Sequence, residues 1–101
     1  MVPVLVAKLA RQDLMDILDD LNQRAGYIAA NRYAGDFEAI NRGLGEFPSS
    51  GSPRQGLGAT ARIKIVQPYI VVYDYDGFQL LGLRVLHGRR NITAKIIRRK
   101  P

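Results

Sequence analysis

The chain has 101 residues, of which 47% are hydrophobic and 24% charged, and a formal net charge of +6. A chain of this length buries roughly two-thirds of the surface its unfolded form exposes, enough for one domain with one core. The absence of cysteine excludes disulfides, thiolate nucleophiles and zinc–sulfur centres, and no apolar run approaches the roughly 18 residues of a membrane span.

The opening MVPVLVAKL has no basic segment ahead of its very short apolar run. It reads as a first strand over Val4 to Leu9 rather than as a signal peptide. From Ala10 the period becomes helical, with Leu14, Ile17, Leu18 and Leu21 at i, i+3, i+4 and i+7. Asp13, Asp16 and Asp20 lie on the polar side of that helix. Hard cations need several converging oxygens, more than one helix face supplies, so no metal is expected there. Gly26 breaks the pattern, and a second amphipathic run follows through Tyr33, Phe37, Ile40, Leu44 and Phe47. Pro48 ends it. Two helices joined by so short a turn predict an antiparallel hairpin.

Residues 48–58, PSSGSPRQGLG, are a loop by composition. Their glycines resemble a phosphate loop only superficially, because Leu57 follows Gly56 where a lysine is needed. GLG at 43–45 likewise lacks the rest of a dinucleotide fingerprint, and no cofactor is expected. After the loop the period becomes two. Ile63 and Ile65 alternate with Arg62 and Lys64, and Gln67-Pro68 predicts a tight turn. PYIVVYDY is β-branched and aromatic, Asp76-Gly77 signals a two-residue hairpin, and QLLGLRVLH is the returning strand. The expected fold is α+β in the order β-α-α-β-β-β. A helical hairpin packs on one face of a small antiparallel sheet, with the first strand at an edge. Residues 92–101 form a basic tail on a single domain spanning 1–101. Within it Ile92, Ile96 and Ile97 return an apolar patch to the body or offer it to a partner.

Charge is placed unevenly. Residues 1–48 carry a net −2, residues 49–83 a net +1, and residues 84–101 a net +7 with no acidic side chain. Such a block favours an acidic partner, either nucleic acid or an acidic protein segment. The one reaction these residue types leave open is RNA cleavage, which needs a proton shuttle and cations around a phosphorane-like transition state. His87 is the natural shuttle, and Arg62, Lys64, Arg84, Arg89 and Arg90 could supply the positive field. In a regular strand, however, Arg84 points to the face opposite His87, and no second acid or base is evident. A histidine at a strand end also suits a hydrogen-bonded turn.

The element order, the loop FPSSGSPRQGL and above all PYIVVYDYDGFQLLGLRVLHGRRN resemble the RelE/ParE superfamily of type II toxins. The resemblance covers roughly residues 3–97 and is most specific over 68–91. It implies one of two activities. RelE-like members are ribosome-dependent endoribonucleases that cut messenger RNA, and here that chemistry would fall to His87 with Arg62, Arg89 and Arg90. ParE-like members bind and poison DNA gyrase. In this chain Tyr69 is followed by Ile70 rather than by arginine. No tyrosine follows Tyr75, and Gln55-Gly56-Leu57-Gly58 stands where some nucleases carry paired lysines. These departures favour the ParE-like branch: a cytoplasmic gyrase inhibitor that acts by binding rather than catalysis and is neutralised by a cognate antitoxin. On that resemblance Arg84, His87, Arg89 and Arg90 are the expected target-binding residues. Leu14, Ile17, Tyr33, Phe37, Arg62, Arg98 and Arg99 are expected to meet the antitoxin.

Overall fold

A computed structural model describes residues 1–98, with the Arg98 side chain outside that description. Strand β1 (Val4–Val6) leads into helix α1 (Lys8–Glu46). Strand β2 (Ser52–Pro53), a 3₁₀ turn (Gln55–Leu57), β3 (Ala61–Val66), β4 (Tyr69–Tyr75), β5 (Leu80–His87) and helix α2 (Ala94–Arg98) follow. The sheet order is β1-β5-β4-β3-β2. A straight helix as long as α1 would span about 58 Å, yet the longest dimension of the molecule is 38 Å. The chain therefore folds back within α1, and it does so at Gly26, whose φ of 86° and ψ of 167° leave the helical region. The expected hairpin is present as two limbs, residues 8–25 and 27–46. The second limb ends as the Phe47 N–H donates to the Gly43 carbonyl at 2.8 Å, just before Pro48.

The meander β3-β4-β5 is antiparallel, as the period-two reading predicts. Gln67-Pro68 makes the first turn, through a cis peptide bond. The second turn lies one residue later than the sequence suggests. Gly77 and Phe78 are its central residues, because the Asp76 carboxylate accepts the N–H groups of Phe78 (2.8 Å) and Gln79 (2.9 Å). Those two bonds hold the Asp76 carboxyl below its usual range, and Gly77, at φ 96°, supplies the positive φ. Two further details depart from expectation. The edge strand β1 runs parallel to β5, so the sheet is mixed. The segment 48–58 is more than a loop, since Ser52–Pro53 pairs with Arg62–Ile63.

Each face of the sheet is covered. Beneath α1, Phe37, Tyr69 and Val85 form one cluster with Leu14, Ile17 and Tyr33, and Leu44, Tyr73 and Leu80 form another with Ile40 and Val4. On the opposite face, Ile63, Val72 and Leu86 are covered by Ile97 of α2, with Ile92 and Ile96 alongside. The isoleucines of the tail thus return to the body. Among the described residues no helix is long and apolar enough to cross a membrane.

Two polar devices lock these layers. β1 lies beside only the first part of β5, from Leu80 to Gly82. Beyond it the Asp13 carboxylate takes over the exposed edge, accepting the Val85 N–H at 2.9 Å. The same carboxylate receives Nε of Arg84 at 2.6 Å and its Nη2 at 2.8 Å, while Nη1 of Arg84 donates to the Ile96 carbonyl. Arg84 is 1% exposed, so this pair joins β5, α1 and α2 inside the protein. At the other end of the sheet the Tyr73 hydroxyl donates to the Pro48 carbonyl (2.8 Å) and accepts the Gly51 N–H (2.9 Å). Arg62 donates to the carbonyls of Ser49 (3.0 Å) and Gly51 (2.6 Å). A Cβ on Gly51 would meet the Tyr73 hydroxyl and lie 2.6 Å from the Ile63 carbonyl oxygen. Burial raises the Tyr73 phenol above its ordinary value of 10.0, against smaller opposing effects of the Gly51 bond and Arg62.

Both devices predict measurable costs. Asp13→Ala leaves a buried guanidinium and the Val85 N–H without their acceptor, and should lower the unfolding free energy by about 3–5 kcal/mol in urea titrations. The double change Asp13→Leu with Arg84→Met should recover most of that loss; a single Asp13→Ala indistinguishable from the parent would contradict the clamp. Gly51→Ala should cost about 1–3 kcal/mol through overpacking. Combined with Tyr73→Phe, which removes one clashing atom, it should cost less than the sum of the single changes. Because the folded phenol is raised, the unfolded chain ionises first. Stability should therefore fall as pH climbs past about 10, and Tyr73→Phe should flatten that fall.

Candidate binding surface

The surface of interest begins where β5 ends. β4 and β5 place Tyr69 opposite His87, so both side chains rise on the α1 face of the sheet. The imidazole meets the Tyr69 ring edge-on at 5.8 Å, and Tyr69 in turn contacts Tyr33 (6.0 Å) and Phe37 (5.9 Å). Burial raises the Tyr69 phenol, offset in part by Arg24. Beyond the strand the chain turns tightly, with Gly88 N–H donating to the Pro68 carbonyl at 2.8 Å and Arg90 N–H to the His87 carbonyl at 3.0 Å. Nδ1 of His87 accepts the Arg89 N–H at 3.1 Å. That bond places the proton of the neutral ring on Nε2 and makes His87 a cap for the turn. The turn presents Arg89 exposed and Arg90 half-buried. Among the described residues no carboxylate forms an ion pair with either.

The sequence-selected residues separate into distinct places. Arg84, expected at the target surface, is buried against Asp13, since an arginine inside an apolar strand is stable only when paired. Arg62 and Lys64 do share the α1 face with His87, through the pairs Arg62–Tyr73, Lys64–Val71 and Tyr69–His87. They lie far from it, however. Arg62 is four residues along β4 and two strands across from His87, roughly 16 Å by strand geometry. Its guanidinium is held by loop carbonyls, and Nζ of Lys64 reaches Ser50 Oγ at 3.2 Å. His87, Arg89 and Arg90 are therefore together, and Arg62 is not with them.

The residues expected at the antitoxin surface also divide. Phe37 is 7% exposed, and Leu14, Ile17 and Tyr33 are half-buried against the sheet, so this apolar stripe faces the core first. Leu14 and Phe37 also border an apolar groove of about 290 Å³ between the two limbs of α1 and β5, together with Val6, Ala10, Ile40 and Leu44. Arg99 and the side chain of Arg98 lie outside the described residues. Asp13, on the helix face weighed for a metal, is the partner of Arg84, and no group of acidic or imidazole side chains among the described residues converges on one point. Sequence reasoning missed Asp13 as the partner of Arg84 and Tyr73 as the anchor of the 48–51 loop. The one available signal was Arg84 itself, set between Leu83 and Val85, which demands a buried acceptor somewhere in the chain.

A family profile described as "ParE toxin of type II toxin-antitoxin system, parDE" matches residues 4–92. Toxin ParE1 of Caulobacter vibrioides is 31% identical over 96 residues, which are 95% of this chain and 99% of that protein. Toxin ParE3 of the same organism is 30% identical over 84 residues, or 83% and 84% of the two chains. A solved structure described as the chromosomal ParDE TA system from P. aeruginosa shares the fold, with a TM-score of 0.73 at 19% identity over 86% of this chain and 96% of that one. With its profile match spanning both the helical hairpin and the strand that leads into LHGRRN, the chain belongs to the ParE toxin family of type II toxin–antitoxin systems.

Proposed function

We propose that this chain inhibits DNA gyrase by stoichiometric binding in the cytoplasm and is held inactive by a cognate antitoxin. The observation that carries the reading is the divergence of the basic groups. Cleaving a phosphodiester needs a free acid–base group and cations converging within hydrogen-bond reach of one phosphate. Here Nδ1 of His87 accepts the Arg89 N–H, and Arg62 is tied to the Ser49 and Gly51 carbonyls at the far end of the meander. Arg89 and Arg90, which form no ion pair among the described residues, remain as a basic corner suited to contact with an acidic surface. For the antitoxin, the apolar groove beside Leu14 and Phe37 supplies the area that makes binding tight, and the basic C-terminal block speeds encounter.

Purified chain added to a gyrase supercoiling assay should block supercoiling, and His87→Ala should still inhibit, weakened only as far as loss of the turn cap displaces Arg89 and Arg90. Arg89→Glu with Arg90→Glu should weaken inhibition, because it reverses the sign of the corner. Intact supercoiling, accompanied by messenger RNA cut on ribosomes and a loss of about 10²–10⁴ in that cleavage on His87→Ala, would refute the binding reading. Harmless expression in bacteria lacking the antitoxin would equally count against a toxin.

A further inference from the structure

The outer edge of β5 is satisfied along most of its length. β1 covers Leu80 to Gly82, and farther on the Asp13 carboxylate accepts the Val85 N–H at 2.9 Å. Past that point the edge is open. The Gly88 N–H donates to the Pro68 carbonyl, which turns Gly88 toward β4 and, by alternation, turns the backbone groups of Val85 and His87 outward. The Arg90 N–H takes up the His87 carbonyl. The Val85 C=O and the His87 N–H have no hydrogen-bond partner among the described residues. An acceptor and a donor two residues apart thus face the same way, into a cavity of about 380 Å³ between β5 and the first limb of α1. Ile17 and Tyr69 give it an apolar wall, Asp16 stands on the helix side, and Arg90 borders it together with His87.

We infer that this cavity binds an adenine nucleotide, with the base against the β5 edge and the phosphate at Arg90. A backbone acceptor and donor side by side suit a ligand edge that also carries a donor and an acceptor side by side. Adenine has that edge: its N6 amine can donate to the Val85 carbonyl while its N1 accepts the His87 N–H. An extended peptide has it too, but a peptide needs room along the strand, and Asp13 already sits on the Val85 N–H. A compact planar ligand does not need that room. Cytosine carries the same edge, yet a purine covers more of the wall made by Ile17 and Tyr69. Charge places the phosphate. Both Asp13 oxygens are engaged by Arg84, so that pair is neutral, whereas Arg90 forms no ion pair among the described residues and can meet an anion. Gln12 Nε2 donates to one oxygen of Asp16 at 2.9 Å, which leaves the other for a ribose hydroxyl. The site asks nothing of gyrase or of the antitoxin, so this inference and the supercoiling result stand or fall separately.

The test titrates the ¹⁵N-labelled full chain with adenosine monophosphate (AMP), and in parallel with inosine monophosphate (IMP), adenosine and inorganic phosphate. AMP should shift the His87 amide signal and that of Leu86, whose nitrogen shares a peptide unit with the Val85 carbonyl. IMP should bind at least about tenfold less tightly, because its N1–H and O6 set donor against donor and acceptor against acceptor. Adenosine should shift the same two signals at higher concentration, and phosphate alone should leave them in place. Arg90→Gln should weaken AMP binding about tenfold and leave adenosine binding unchanged, which separates the phosphate contact from the base contact. Should that variant fail to fold, the comparison of AMP with IMP on the parent chain decides by itself. Equal responses to AMP and IMP, phosphate reproducing the AMP shifts, or shifts confined to the groove between the two limbs of α1 would each overturn the proposal. So would an adenylate tetranucleotide that binds more than about tenfold tighter than AMP, because the site would then belong to single-stranded nucleic acid.

Discussion

The guanidinium of Arg84 sits where the chain has almost no water to offer it, and three elements are arranged around that fact. Asp13 reaches it from α1, the Ile96 carbonyl from α2, and β5 carries it. Burying such a pair yields little net stability, because the desolvation of both ions opposes their attraction. Its value is positional. Asp13 accepts the Val85 N–H with the oxygen that also binds Arg84 Nε, so sliding α1 along β5 would break two bonds to one atom. Nonpolar packing alone tolerates small shifts of a helix across a sheet, and a directional buried pair does not. The register of the helical hairpin and the docking of the C-terminal helix are thus set by one side chain.

The anchor at the opposite end completes the division of labour among basic residues. Tyr73 is fully buried, and with Arg62 it holds the carbonyls and N–H groups of residues 48–51 to β3 and β4. Arg84 is inside the protein, and the Arg62 guanidinium is bonded to the loop carbonyls. Of the basic groups in the +7 terminal block, Arg84 is withdrawn from solvent, and among the described side chains Arg89, Arg90 and Lys95 reach it. Arg89 and Arg90 stand just past the cap made by His87, whose ring packs on Tyr69 and so on the aromatic cluster beneath α1. The exposed corner is in this way tied rigidly to the core.

Much of this architecture was legible in the sequence, and the failures share a cause. Period-two alternation found β3, β4 and β5, and Gly26 marked the hairpin, because these signals are local. Ser52–Pro53 escaped notice because two residues cannot show a period. The Asp76-Gly77 turn was displaced by one residue because the Asp76 carboxylate binds two N–H groups ahead of it, a choice that propensity does not encode. Arg84 was assigned to a surface because residue type says nothing about a carboxylate 71 positions away. Leu14 and Phe37 show the same ambiguity from the apolar side. A hydrophobic stripe at helical spacing is the same pattern whether it meets its own sheet or a partner, and here it packs against the sheet and borders an apolar groove.

That distribution of charge bears on what kind of work the surface can do. Catalysis on a phosphate rewards convergence: each donor must point at the place where negative charge develops, and a donor held elsewhere contributes nothing to the barrier. Recognition of an extended acidic surface rewards spread, since separated cations can each meet a different carboxylate without competing. In this chain the basic groups spread along the sheet from the 48–51 loop past Lys64 to the turn at Arg89, while Ile65 and Ile70 pair on the opposite face. Cations dispersed in this way suit an extended acidic surface better than a single phosphate. His87 meets this surface from the backbone side, since its Nδ1 accepts the Arg89 N–H in the turn that carries Arg89 and Arg90.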